Sequence, residues 1–118
     1  MIDDIKLKYD TFSDSWISKI KEFEDTIILT IVCSNNQNDY KYEKIELIFS
    51  NIVSFVLDEN LSLNNIGIKD ALFDFKNDLV IFDLDPIDHF DYLEENKNSK
   101  FKVVSRNIDL SFVEYYEN

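Results

Sequence analysis

A mainly β domain is predicted, built as one curled antiparallel sheet, barrel-like or sandwich, with at most one or two short helices. Runs rich in Ile, Val, Thr and aromatic residues recur along the chain, clusters of Asn, Asp, Ser and Glu separate them, and apolar residues at helical spacing are few. The 118 residues contain no internal repeat, low-complexity tract or linker, so residues 1–118 read as a single β-rich domain. A chain of this size buries about two-thirds of the surface that its unfolded form exposes, without needing a disulfide.

Trp16–Phe23 and Thr26–Ser34 are the first two strands, a hairpin turning at the polar corner Glu24-Asp25. In the second, Ile27, Leu29, Ile31 and Cys33 share one side, while Ile28 and Val32 share the other with Thr30. Two apolar faces predict a central strand. The polar residues from Ser34 to Asp39 form a loop. Lys41–Ser50 alternates, with Tyr42, Lys44, Glu46 and Ile48 on one side and Glu43, Ile45, Leu47 and Phe49 on the other, so one face meets the core and one meets water. Asn51 marks a corner or bulge before the strand Ile52–Leu57.

Leu61–Asn65 reads as an irregular connection. Over Ile68–Lys76 the periodicity is divided: Ile68, Leu72 and Phe75 fit a helix and Ala71, Phe73 and Phe75 a strand, the strand being preferred. Leu79–Leu84 is a strand after the turn Lys76-Asn77-Asp78. Pro86 suits a first helical position, and Ile87, Phe90 and Leu93 could face inward from a short helix over Pro86–Asn96. The last run, Lys100–Tyr115, is broken at Ser105-Arg106-Asn107 and fits a bent terminal strand or a hairpin.

Charge is the most uneven property. The net charge is −12, and nine of these charges fall between Asp58 and Glu95, where eleven carboxylates face only Lys69 and Lys76. Such a field repels phosphate backbones, which argues against direct nucleic-acid binding, and steers a basic protein partner inwards. Asp70, Asp74, Asp83, Asp85, Asp88 and Asp91 are the candidate carboxylates for that surface. Trp16, Tyr40, Tyr42, Tyr115 and Tyr116 lie at run ends beside acidic residues, a composition that suits a protein-binding surface; Trp16 and Tyr42 are the leading candidate anchors.

Chemistry finds little support. Asp83, Asp85, Asp88 and Asp91 with His89 offer oxygen and nitrogen donors, but Pro86 and Ile87 occupy the middle of that stretch where a calcium loop needs a sharp glycine turn, and a solvated acidic loop is the preferred reading. One His and one distant Cys cannot supply a zinc site. Cys33 lies within an apolar strand, where its thiol is expected to be buried and inert. With Gly67 as the single glycine, phosphate-cradling loops are excluded. No enzyme activity, cofactor or metal is expected. The start Met1-Ile2-Asp3-Asp4 has neither the basic nor the apolar region of a secretory signal, and no apolar stretch approaches the ~20 residues of a membrane span, so a cytoplasmic protein without membrane association is expected.

Thr11–Ile20, TFSDSWISKI, followed by the hairpin and by the I-x-L-x-F-x-N-I run at Ile45–Ile52, resembles the all-β family called immunity protein 50, among the small bacterial immunity proteins of polymorphic toxin systems. Phe12, Asp14 and Ser15 match its Phe-His-Asp-Ser-like opening, and Ser13 stands where that motif has His. The resemblance covers the first half of the chain. It implies a non-enzymatic protein that binds and neutralises a cognate toxin, for which a nuclease-type toxin with a basic cleft is the electrostatically fitting partner. The alternative is a ligand-binding or structural β domain.

Overall fold

The computed structural model describes residues 1–61 and 65–117, so of the connection expected at Leu61–Asn65, residues 62–64 lie outside the described part. The elements run α1 (Ile2–Tyr9), β1 (Ser15–Phe23), β2 (Thr26–Asn35), β3 (Lys41–Leu57), β4 (Ile66–Ile68), β5 (Leu72–Lys76), β6 (Leu79–Asp83), β7 (Ile87–Asp88), β8 (Leu93–Glu94) and β9 (Phe101–Tyr115). Seven strands form one antiparallel sheet in the order β4-β1-β2-β3-β9-β6-β5, and β7 and β8 form a separate small hairpin. The chain is mainly β, curled into a half-barrel.

Chain connectivity enforces the curl. The edge strands β4 and β5 are consecutive in sequence and joined only by residues 69–71, a link that reaches at most roughly 14 Å. The two ends of a seven-stranded sheet can be that close only if the sheet bends round on itself. The Ala71 backbone N–H donates to the Thr11 carbonyl at 2.7 Å, and the Thr11 hydroxyl donates to Asp70 at 2.7 Å, which ties the segment after α1 into this seam.

The β1–β2 hairpin turns at Glu24-Asp25, with Phe23 paired to Thr26. Glu24 has φ 54°, the left-handed conformation that primed hairpin turns require at their first loop position. β2 is paired with β3 along its length and with β1 from Thr26 to Val32, and Ile27, Leu29, Ile31 and Cys33 all point into the core. β3 runs continuously through Asn51, whose φ of 55° accompanies a register shift against β9 between Ile52 and Ser54. That bulge bends β3 without ending it. β9 is likewise one continuous strand, so the terminal hairpin option is set aside. Over Ile68–Lys76 the strand reading holds from Leu72, with Ala71 and Phe73 buried, while Ile68 belongs to β4.

Two segments depart from expectation. The helix expected over Pro86–Asn96 is instead the β7–β8 hairpin. Asn96 donates from its backbone to Asp83 at 2.8 Å and from its side chain to the Asp85 carbonyl at 2.8 Å, which brings the two ends of the segment side by side. An eleven-residue helix would hold its ends roughly 16 Å apart. Conversely, Ile2–Tyr9, to which the strand patterns assign nothing, is helical. Ile5 and Tyr9 are buried with Ile2 packed beside them, Asp3 and Asp4 lie in the first turn, and Lys6 and Lys8 in the last, the arrangement that the helix dipole favours.

Inside the curl, Phe12, Phe49, Phe73 and Phe82 form the centre of the core, with Phe82 5.7 Å from Phe12, 5.7 Å from Phe49 and 5.2 Å from Phe73 between ring centroids. Burying each such ring contributes about 1.5–3 kcal/mol. Phe12 adopts φ 56° to enter the core directly after α1. Among the described residues, no buried side-chain polar atom lacks a hydrogen-bond partner, and no helix is long and apolar enough to cross a membrane.

Candidate functional site: an aromatic groove and an acidic hairpin

The five aromatics singled out in the sequence meet at one groove. Trp16 on β1, Tyr42 on β3, Tyr115 at the end of β9 and Tyr116 beyond it, with Tyr40 from the β2–β3 connection, line an open groove of about 720 Å³ together with Asn38, Lys41 and Glu117. Trp16 and Tyr42 stack at 5.9 Å, and Tyr116 meets Trp16 edge-on at 5.4 Å. The cluster is fixed by the Tyr42 hydroxyl donating to the Asp14 carbonyl at 3.0 Å and by the Tyr116 N–H donating to the Tyr42 carbonyl at 3.0 Å. Val32, the ladder partner of Trp16, is buried although its neighbours Ile31 and Cys33 take the core side. This cluster therefore packs the outer face of β1–β3 while leaving Tyr40 and Tyr115 exposed.

The acidic candidates divide into two groups. Asp70, Asp88 and Asp91 line a second groove, of about 380 Å³, between the end of α1, the seam before β5 and the β7–β8 hairpin. Phe90, Tyr92 and Lys6 share that lining. Asp74 lies in the neighbouring depression, which Tyr92 and Leu93 also line. Asp83 does not join this surface. It is 0% exposed and accepts hydrogen bonds from the Asp85 N–H at 2.9 Å, the Asn96 N–H at 2.8 Å and the Ser99 hydroxyl at 2.6 Å. Asp85 is half-buried and accepts from the Lys100 N–H at 3.1 Å. Asp83, at the end of β6, thus holds the 84–100 segment to the sheet, and Asp85 ties the two ends of that segment together. Lys102 completes the clasp, donating to Glu95 at 2.8 Å and to the Asn96 carbonyl at 3.1 Å.

On this base the hairpin is cross-linked by further hydrogen bonds, and its tip is unusual. The His89 N–H donates to the Tyr92 carbonyl at 3.0 Å, the Phe90 N–H to Asp88 at 2.8 Å, and the His89 ring stacks on Tyr92 at 4.6 Å while its Nε2 meets Glu94 Oε1 at 2.6 Å. Phe90, expected to face inward, is 98% exposed, with φ 76°. A left-handed backbone costs a residue with a β-carbon about 1–2 kcal/mol. Sequence patterning missed this residue because an apolar residue three positions after Ile87 reads as a buried stripe; Asp88 two residues before it, with its Asx-turn chemistry, is the signal for a turn.

Cys33 is enclosed by the core. Near it the buried Glu43 accepts from the Tyr9 hydroxyl at 2.9 Å and from the Asn35 side chain at 3.0 Å, joining α1 to β2 and β3. Burial, reinforced by the Glu43 carboxylate, pushes the Cys33 thiol well above its ordinary 9.0. Burial first, then the hydrogen bond and charge of Glu43, pushes the Tyr9 hydroxyl above its ordinary 10.0. Both groups keep their protons in the folded state when the unfolded chain releases them, so their contribution to stability is complete below about pH 9 and declines as pH rises beyond it. Urea titrations between about pH 8 and pH 11 should show this decline, and Tyr9→Phe combined with Cys33→Ala should flatten it. An unchanged slope in the double variant would contradict the assignment.

Among the described residues, no group of three His, Cys, Asp or Glu side chains is placed to hold a metal ion. What the two grooves present is aromatic surface and carboxylate charge. Comparison with protein-family models, with curated proteins and with solved structures found no match to this chain.

Proposed function

We propose that this chain is a non-enzymatic binding protein whose acidic face engages a basic protein partner, and that it acts as an immunity protein neutralising a bacterial toxin. The observation that carries the binding reading is the convergence of Asp70, Asp88 and Asp91 with Phe90 and Tyr92 around one groove. Exposed aromatics beside carboxylates are a composition that suits a protein interface. The immunity half of the reading rests on the resemblance of Thr11–Ile20 and Ile45–Ile52 to immunity protein 50. In this fold Phe12 of that motif serves the core and the Asp14 carbonyl supports Tyr42.

The charge reading has a kinetic test. Asp74→Asn, Asp88→Asn and Asp91→Asn together keep the Oδ1 acceptors used by Phe75 and Phe90 and remove three charges. Against a purified partner identified from the native host, the triple variant should associate roughly tenfold more slowly at low salt, with a weaker salt dependence and little change in dissociation. Equal association rates at every ionic strength would reduce the acidic segment to a solvated face. The immunity reading is tested by co-expression: the chain should restore growth to cells producing the toxin encoded beside it in its host genome, and failure to protect against any neighbouring gene product would end that reading.

A ligand-binding domain is the second reading, supported by the aromatic groove, whose volume of about 720 Å³ lies within the range typical of small-molecule sites. Saturable quenching of Trp16 fluorescence by a small molecule, without a protein partner, would favour it.

A further inference from the structure

We propose that Phe90 is a preformed anchor, presented by the β7–β8 hairpin for insertion into an apolar pocket with a basic rim on the protein partner. This inference rests on the protein-binding reading above and names the residue through which it acts. Phe12, Phe49, Phe73, Phe82 and Phe101 are all buried to 2% exposure or less, whereas Phe90 is 98% exposed and contributes nothing to the core. Its φ of 76° is one that Gly, Asn or Asp would adopt more readily. Neither burial nor turn geometry therefore accounts for a phenylalanine at this position. Strained residues that the surroundings hold in place concentrate at recognition sites.

The holding groups are those of the hairpin: Asp88 on the Phe90 N–H, the His89–Tyr92 backbone bond, and the His89 ring between Tyr92 and Glu94. Beneath them, buried Asp83 and Lys102 fix both ends of the segment. A backbone held in this way fixes where the ring is presented, so the segment that carries it loses little conformational freedom on binding. Asp88 and Asp91 flank the ring in sequence and line the groove beside it, so the complementary surface is an apolar pocket bordered by Lys or Arg. The same carboxylates oppose insertion into an anionic membrane.

The experiment places the photo-crosslinking analogue p-benzoyl-phenylalanine at position 90 of the full chain in its native host, and separately at the exposed positions of Tyr40 in the aromatic groove and Phe23 at the far end of the β1–β2 hairpin. A discrete adduct with one basic protein is expected from position 90 and none from position 23. With that protein purified, Phe90→Ala and Phe90→Gly should each weaken binding by roughly 30-fold, mainly through faster dissociation. The glycine variant should melt no lower than the wild type, which separates binding from folding. An adduct from position 40 alone, or a loss of affinity below about twofold in both variants, would overturn the anchor while leaving protein binding intact. Adducts with lipid in place of protein, or no adduct at positions 40 and 90, would overturn both.

Discussion

Phe82→Ala is expected to destabilise the fold by about 3–5 kcal/mol, the usual cost of emptying a fully buried aromatic site. Phe82 is 0% exposed and touches three further core rings, Phe12, Phe49 and Phe73, which come from the segment after α1, from β3 and from β5. Removing it leaves a cavity where these elements meet, at the point where the sheet closes on itself. Because whole domains are stable by only about 5–15 kcal/mol, the melting temperature should fall by on the order of 15 °C. Phe75→Ala, one ladder strand away but with an exposed ring, should lie within about 1 kcal/mol of wild type. Equal losses in the two variants would mean that the four-ring cluster is not the centre of the core.

Asp83→Ala should cost about 3–5 kcal/mol, comparable to breaking a buried charged network. The carboxylate serves the Asp85 N–H, the Asn96 N–H and the Ser99 hydroxyl from within the protein, and without it the two backbone N–H groups lose their acceptor where water is scarce, while the Ser99 hydroxyl keeps the Phe101 carbonyl. Asp83→Asn is no conservative change here. Donors approach both carboxylate oxygens, so either orientation of the amide sets its NH₂ group against a donor. Hydrogen exchange should report a local signature: the Asp85 and Asn96 amides should lose protection more than the amides of β2, since the 84–100 segment is released before the sheet unfolds. Uniform loss across β2 and the segment would show that Asp83 supports the whole sheet instead. Release of the segment should also weaken partner binding by loosening the base of the Phe90 hairpin, although Asp83 itself never reaches the surface.

The contrast between Asp83 and Phe90 shows what residue type conceals. An aspartate beside other aspartates reads as surface charge, and a phenylalanine beside Ile87 and Leu93 reads as core. Their positions are exchanged because burial depends on which donors converge on a site: two backbone N–H groups and the Ser99 hydroxyl converge on Asp83, while the turn after Asp88 points Phe90 outwards. The five groove aromatics behaved differently. Each stood at a run end or on a mixed face, and such positions leave the sheet interior irrespective of pairing partners, so their surface character was legible. Their meeting at one groove was not, because it depends on β9 pairing beside β3 and carrying Tyr115 and Tyr116 back to Tyr42.

Two-residue periodicity, turn chemistry and composition act over a few neighbours, and they are enough to set the β class, the β1–β2 hairpin, the inward faces of β2 and β3 and the concentration of negative charge. The strand order, the closure of the curl, the helix at Ile2–Tyr9 and the hairpin in place of a helix at Pro86–Asn96 arise only in the folded chain. Those outcomes rest on partners far apart in the chain: Asn96 with Asp83, Ala71 with Thr11, Tyr9 with Glu43. Local propensities for short segments differ by about 1 kcal/mol or less per residue, and a single buried hydrogen bond or packed ring from elsewhere in the chain is enough to reverse them.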